Sequence, residues 1–259
     1  MEVPMKKPDA LSLDKTVAFA RQYYGDKKTI GGAALIDYCM LVAKQAETIA
    51  RRLYQDVRLD FFPESTNDSI IALTHGAVLH PILHVSDCAF ENIAEHTTVQ
   101  IAAMVADVTR DFRLVETKRD LEFRGRLSQS PVSSQILVTA NVICTAKEVL
   151  SLLAEQGLAA APKAKKILAQ LDGDLLAIHA ANRYYMLRMY VHAARNMLQD
   201  ISREIKVCRQ KARADRAAAA SLKTIKERIA AKKSPAPVKP AGKKGVRYAR
   251  KHTAETDSE

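Results

Sequence analysis

Residues 68–111 read DSIIALTHGAVLHPILHVSDCAFENIAEHTTVQIAAMVADVTRD. The stretch opens with an apolar run, Ile70, Ile71, Leu73 and Val78, at helical spacing, and that run carries His75. Pro81 breaks it, because proline lacks the amide proton that a helix interior needs. A turn with His84 and Asp87 follows, then a short helix from Phe90 to His96 and an apolar helix from Val99 to Val108. Four histidines in so short a span raise the question of a metal site. On a continuous helix, residues five apart point about 140° away from each other, so His75 and His80 do not share a face. His80 and His84 have i, i+4 spacing, but Pro81 lies between them and starts a new segment. No H-E-x-x-H pattern is present. His75 is therefore expected to pack against the second helix, and the other histidines to sit in loops or on the surface. Zinc held by His80, His84 and Asp87, with or without His75, is the alternative.

Working outward, the composition points to an all-α protein. Of 259 residues, 47% are apolar, glycine and proline are sparse, there is no tryptophan, and long stretches repeat at helical period. No stretch of about 18 uncharged apolar residues stands out as a membrane span, and the first 15 residues have no secretory pattern. Cys39, Cys88, Cys144 and Cys208 are far apart, as expected of reduced thiols in a cytoplasmic protein. Neither G-x-S-x-G, nor a P-loop, nor G-x-G-x-x-G occurs.

The net charge of +11 is concentrated near the C-terminus. Between Ser202 and Lys251 there are 17 Lys and Arg against three acids, leaving 23 bases and 26 acids elsewhere. The body is thus nearly neutral and the extension strongly basic.

In chain order, a helix is expected from Ser12 to Tyr24, a turn at Gly25–Lys28, and a second helix from Ala33 to Tyr54. A loop through Phe61-Phe62-Pro63 leads to the His75 helix. After Thr109 come an amphipathic helix over 114–127 and a long helix over 132–153. A linker at 157–162 precedes a short helix over 164–171, stopped at Asp172-Gly173-Asp174. From Leu175 the pattern continues as one long helix, or two collinear ones, to about Lys233. Its aromatic and basic cluster, Tyr184 to Arg195, fits a packing helix with snorkelling arginines. Residues 233–259, rich in Lys, Pro and Ala, have a disordered composition. The expected division is 1–160, 161–232 and 233–259.

Several segments together resemble the RelA/SpoT-type hydrolase domain, the HD-superfamily domain that removes the 3′-pyrophosphate from (p)ppGpp. Ala18–Lys28 looks like that family's A-x-x-x-H-x-G-Q-x-R-K. Ala34–Ala43 looks like P-Y-x-x-H-P-x-x-V-A, Leu73–His80 like L-L-H-D-x-x-E-D, and Ala102–Thr109 like V-A-x-L-V-x-x-V-T. Val138–Asn141 falls where L-A-D-R stands. The resemblance implies a helical HD-type bundle over about 13–153. It also implies a manganese site whose four ligands become Tyr38, His75, Gly76 and Ala140, and a Glu-Asp pair replaced by Leu79 and His80. One neutral imidazole does not hold a hard cation that prefers oxygen ligands. Without a metal, no water is activated at neutral pH.

The expectation is a pseudo-hydrolase, not an active enzyme and without a cofactor. Lys27, Lys28, Tyr38 and His75 are the candidate contacts to a guanine nucleotide in the remnant pocket. The alternative is a metal-dependent pyrophosphohydrolase or phosphodiesterase using manganese or zinc, with His75 and His80 in catalysis. A structural subunit of a larger assembly is a third class. For the basic extension, RNA or DNA is the expected partner, through counterion release, with an acidic protein as the other choice. Its candidate contacts are Arg203, Lys206, Arg209, Lys211, Arg213 and Arg216, then Lys223, Lys226, Lys232, Lys233, Lys243, Lys244 and Arg247.

Overall fold

The computed structural model describes residues 11–53, 66–182 and 184–233. Among these the protein is all-α, and the nearest approach to a sheet is an isolated bridge between Lys28 and Ala34. The loop expected at Phe61-Phe62-Pro63 and the tail expected from Ser234 onward lie outside the described residues.

The helices in chain order are α1 (Leu13–Tyr24), α2 (Leu35–Leu53), α3 (Thr66–Leu79), α4 (Ile82–Val85) and α5 (Phe90–His96). Then come α6 (Val99–Asp107), α7 (Glu116–Gln129), α8 (Val132–Gln156), α9 (Ala161–Ala181) and α10 (Tyr185–Lys233). Two compact units emerge, Met1–Gln210 and Lys211–Glu259.

In the first unit α2 and α8 run through the centre and α3 packs on α2. α2 is amphipathic: Cys39, Val42, Ala46, Ile49 and Leu53 recur at three- and four-residue spacing and are fully buried. α8 is buried on every side over Val132–Ala140. A window of 18 residues within Val132–Ala181 is apolar enough to cross a membrane by length and composition. More than half of that window is buried inside the protein, as in a core helix. Two of its polar side chains are engaged internally: Ser134 Oγ donates to Asp107 and Thr139 Oγ1 to Gln135 O. Local signals set several boundaries. Gly25, with φ 51°, ends α1 and donates its N–H to Arg21 O. Thr98 caps α6 by accepting from Ile101 N at 3.2 Å.

One expectation about helix continuity is corrected. The triplet Asp172-Gly173-Asp174 does not stop a helix; α9 runs through it to Ala181. Arginines from three other elements hold it. Asp174 accepts from Arg110 and from Arg124, the latter at 3.2 Å, and Asp172 accepts from Arg195 Nε at 2.7 Å. Gly173 leaves the space that the Arg124 guanidinium occupies; a methyl group there would overlap it. From Leu175 onward, where one long helix or two were expected, the chain breaks after Ala181 and α10 begins at Tyr185. Asn182 Oδ1 accepts from Tyr184 N at 2.7 Å and its amide donates to Gln135 on α8. That side-chain turn replaces a helical one. The linker expected at 157–162 is a single 3₁₀ turn over Gly157–Ala160, and α9 begins directly after it.

Up to Gln210, α10 buries Leu187, Val191, Ala194, Leu198, Ile201 and Ile205 in the first unit's core. In the second unit, residues 211–227 are exposed apart from the half-buried Ala212.

Candidate functional site

The α1–α2 loop, α2, α4 and α7–α9 surround a cavity of about 640 Å³. Tyr38 enters it from α2, His80 and His84 from either side of Pro81, and Asn141, Thr145 and Glu148 from α8. Lys27 and Lys28 are exposed on the loop side.

At the centre is a network of uncharged groups. Tyr38 Oη donates to Asn141 Oδ1 at 2.5 Å and lies 2.8 Å from Thr145 Oγ1. The Thr145 hydroxyl donates in turn to Asn141 O at 2.8 Å. The Tyr38 ring lies 6.2 Å from the His80 ring. His80 Nδ1 is 2.7 Å from Ala77 O, an acceptor, so that nitrogen carries the proton. Burial pushes the Tyr38 phenol above its ordinary pKa and pushes His80 down to about 4. Phenol, imidazole and amide are therefore all neutral at physiological pH.

The carboxylates in the cavity wall are already engaged. Glu148 accepts from Thr29 Oγ1 and, at 2.9 Å, from Gly31 N, fixing the α1–α2 loop to α8. Asp174 is the shared acceptor of Arg110 and Arg124. Burial raises its carboxyl pKa, and the two guanidinium groups pull the other way.

His75 is not in this cavity, which corrects its expected role as a ligand contact. Its Nδ1 is 2.7 Å from Thr16 Oγ1 on α1, and only 2% of the residue is exposed. Burial lowers its pKa to about 4. Neither Gly76 nor Ala140 lines the cavity. Gly76 faces Met104 on α6, where an added Cβ would fall 2.6 Å from the sulfur, and Ala140 is fully buried. His96 stacks on Phe19 of α1 at 4.2 Å. The histidines thus serve two different sides, His75 and His96 against α1 and His80 and His84 at the cavity. Asp87 is exposed and outside the cavity. Among the described residues no group of three or more His, Cys, Asp or Glu stands together as a metal site, so His75, His80, His84 and Asp87 do not assemble one.

Reading the third motif five residues later would bring its histidine to the cavity. L-L-H-D-x-x-E-D would then fall on Val78-Leu79-His80-Pro81-Ile82-Leu83-His84-Val85, with both histidines at the cavity. L-A-D-R would move by one residue, to Thr139-Ala140-Asn141-Val142, with Asn141 beside Tyr38. The four ligand positions would become Tyr38, His80, Pro81 and Asn141, and the Glu-Asp pair His84 and Val85. A neutral imidazole, a phenol and an amide, with no carboxylate, do not fit a manganese ion.

No family model matches the chain, and no curated protein matches it in sequence. Among solved structures it is similar to that of a metazoan ortholog of SpoT, described as hydrolysing ppGpp and playing a role in starvation responses. The TM-score is 0.50 at 11% identity, over 75% of this chain and 96% of the other. The chain shares the fold of that protein. At this identity the likeness extends to the fold alone, and among the described residues that fold lacks an intact metal cluster.

Several cavity residues were not singled out from sequence: Asn141 in its present role, Thr145, Glu148, Arg110, Phe112 and Arg119. A signal for the first three was present. They are spaced four and three residues apart, the polar stripe of an otherwise apolar helix.

Of the basic residues expected to meet nucleic acid, Arg203, Lys206, Lys211, Arg213, Arg216, Lys223 and Lys226 are exposed, and Arg209 is half-buried. Arg203 pairs with Asp200 at 2.8 Å. Lys232 and Lys233 lie in the last turn of α10. Lys243, Lys244 and Arg247 lie outside the described residues.

Proposed function

We infer that the protein is a ligand-binding module on the SpoT-type hydrolase fold that works without that fold's metal chemistry. The supporting observation is the Tyr38 hydroxyl. It bonds to Asn141 and Thr145, between residues that fall at the ligand positions of the resembled motifs, and the groups around it are neutral. A divalent cation there would meet a phenol, an imidazole and an amide, and the wall carboxylates Glu148 and Asp174 are already engaged by other donors. The cavity remains within the size range of small-molecule sites. A guanine nucleotide is the ligand class suggested by the related fold, with Lys27, Lys28 and Tyr38 near it.

Calorimetric titration with ppGpp and with GDP, with and without manganese, tests this. Saturable binding that needs no metal, with no pyrophosphate released, is the expected result. Manganese-dependent pyrophosphate release that disappears in His80→Ala would establish the hydrolase alternative instead.

A second proposal concerns the C-terminal unit, which contacts RNA or DNA. It is supported by the exposure of Lys211, Arg213, Arg216, Lys223 and Lys226, none of which has a carboxylate partner among the described residues. Phosphate contacts of this kind make affinity fall steeply with salt.

A further inference from the structure

Two arginines enter the cavity from the α6–α7 region, and their circumstances differ. Arg110 stacks over Phe123, 4.1 Å from the ring centroid, and its charge is answered by Asp120 and Asp174. Arg119, on the first turns of α7, stacks over Phe112 at 4.7 Å. Among the described residues no carboxylate forms an ion pair with it, Glu116 one turn earlier feels its charge but bonds to Lys166, and its Nε is buried with no hydrogen-bond acceptor. A buried N–H without an acceptor is costly, more so on a charged group. Phe112 also stacks with His84, ring centroids 5.4 Å apart, so Arg119, Phe112 and His84 form one layered wall of the cavity.

The lysines on the other side are less suited to gripping an anion. Lys27 Nζ donates to Tyr23 O at 3.1 Å, and both Lys27 and Lys28 are exposed, where water screens an ammonium. A guanidinium held over a ring is restrained in position, and its N–H fork matches an oxyanion.

We propose that Arg119, carried on Phe112, is the main anion-binding group of the cavity, completed by a phosphate or carboxylate oxygen of the ligand. This rests on the inference that the cavity binds a ligand. It assigns the anionic end to the α7 wall and leaves Lys27 and Lys28 as a weakly contributing rim. The flat body of the ligand then lies along Phe112 and the apolar walls formed by Val108, Leu137 and Val142.

The test titrates GDP, guanosine and pyrophosphate into the full chain, as wild type, Arg119→Gln, Arg119→Lys and the double variant Lys27→Gln/Lys28→Gln. Urea unfolding of each ligand-free protein verifies that it is folded. Loss of one charge-assisted hydrogen bond weakens binding by about tenfold or more. Arg119→Gln should therefore weaken GDP at least about tenfold and leave guanosine unchanged, Arg119→Lys should recover part of the loss, and the double lysine variant should change GDP by less than about threefold. Equal GDP affinity in wild type and Arg119→Gln overturns the proposal while leaving the ligand-binding inference intact. A larger loss in the lysine variant overturns it too, and returns the anion to the loop. Absence of binding by every probe to wild type overturns both.

Discussion

Acidification should destabilise this protein well before its carboxylates titrate, and by an amount that two residues set. His75 and His80 are 2% and 7% exposed, and burial lowers both pKa values from 6.5 to about 4. The unfolded chain carries ordinary histidines. Above pH 6.5 both states are neutral at these positions and the full stability is present. As pH falls from 6.5 towards 4, the unfolded state takes up protons that the folded state refuses, so stability is lost across that window. By pH 5 the linkage amounts to about 2 kcal/mol for each histidine, or about 4 kcal/mol for the pair. That is a large share of a typical domain's stability.

The assay is urea unfolding of the full chain at pH 7.5, 6.5, 5.5 and 5.0, followed by circular dichroism. His75→Gln keeps a polar side chain opposite Thr16 and removes one titrating group. Its stability at pH 7.5 should be lower, because the 2.7 Å bond to Thr16 is altered, and its loss between pH 7.5 and 5.0 should be about 2 kcal/mol smaller than that of wild type. His80→Gln should behave likewise. A wild-type stability that is flat down to pH 5 would refute the placement of both imidazoles as neutral buried groups. An unchanged slope in His75→Gln would refute it for His75.

Gly173→Ala should lower stability by about 1–3 kcal/mol in thermal unfolding, because its methyl group displaces Arg124 from Asp174. Tyr38→Phe keeps the ring and removes the donor to Asn141, so it should cost about 1–2 kcal/mol in the same assay. Removal of residues 211–259 should abolish binding to single-stranded RNA and to duplex DNA measured by anisotropy across a salt series; an affinity and salt slope that survive truncation would place nucleic-acid contact elsewhere. Tyr38→His/Pro81→Asp/Asn141→Asp should create a manganese site detectable by calorimetry, whereas Tyr38→His/Gly76→Asp/Ala140→Asp should not.

Helix existence was largely legible from sequence, and the side chains of the site were not, for a specific reason. α2 announces its buried face, because its apolar residues keep one side and its charges the other. α3 does not: Ile70, Ala72, Leu73, Ala77, Val78 and Leu79 are buried around its whole circumference. A helix apolar on every side gives no rotational reference. Both Leu73-Thr74-His75 and Val78-Leu79-His80 then satisfy an apolar-then-histidine motif, and a slip of five residues passes unnoticed. It nevertheless rotates the chosen histidine by about 140°, from α2 and the cavity to α1. Asp172-Gly173-Asp174 misled in a related way. Locally it is a turn composition, and what keeps it helical is supplied by Arg110, Arg124 and Arg195, up to 64 residues away in sequence.

The later register would also change what was lost. With His75 as the surviving ligand, the remnant would be a buried imidazole outside the cavity, bonded to Thr16. With His80, the four positions read Tyr38, His80, Pro81 and Asn141, and three of them line one cavity along with Pro81. Asn141 is the nearly isosteric neutral form of an aspartate, and Tyr38 has filled the space beside it with a hydroxyl that satisfies the amide. Such a set keeps a hydrogen-bonded polar network within a mostly apolar cavity wall and lacks the charge that would draw in a cation. A pocket that had simply decayed would be expected to fill with apolar side chains, since burying polar groups brings no stability of its own. The surviving polar groups, with Glu148 tying the α1–α2 loop to α8 and the Arg119 Nε left without an acceptor, are what the proposed ligand would meet.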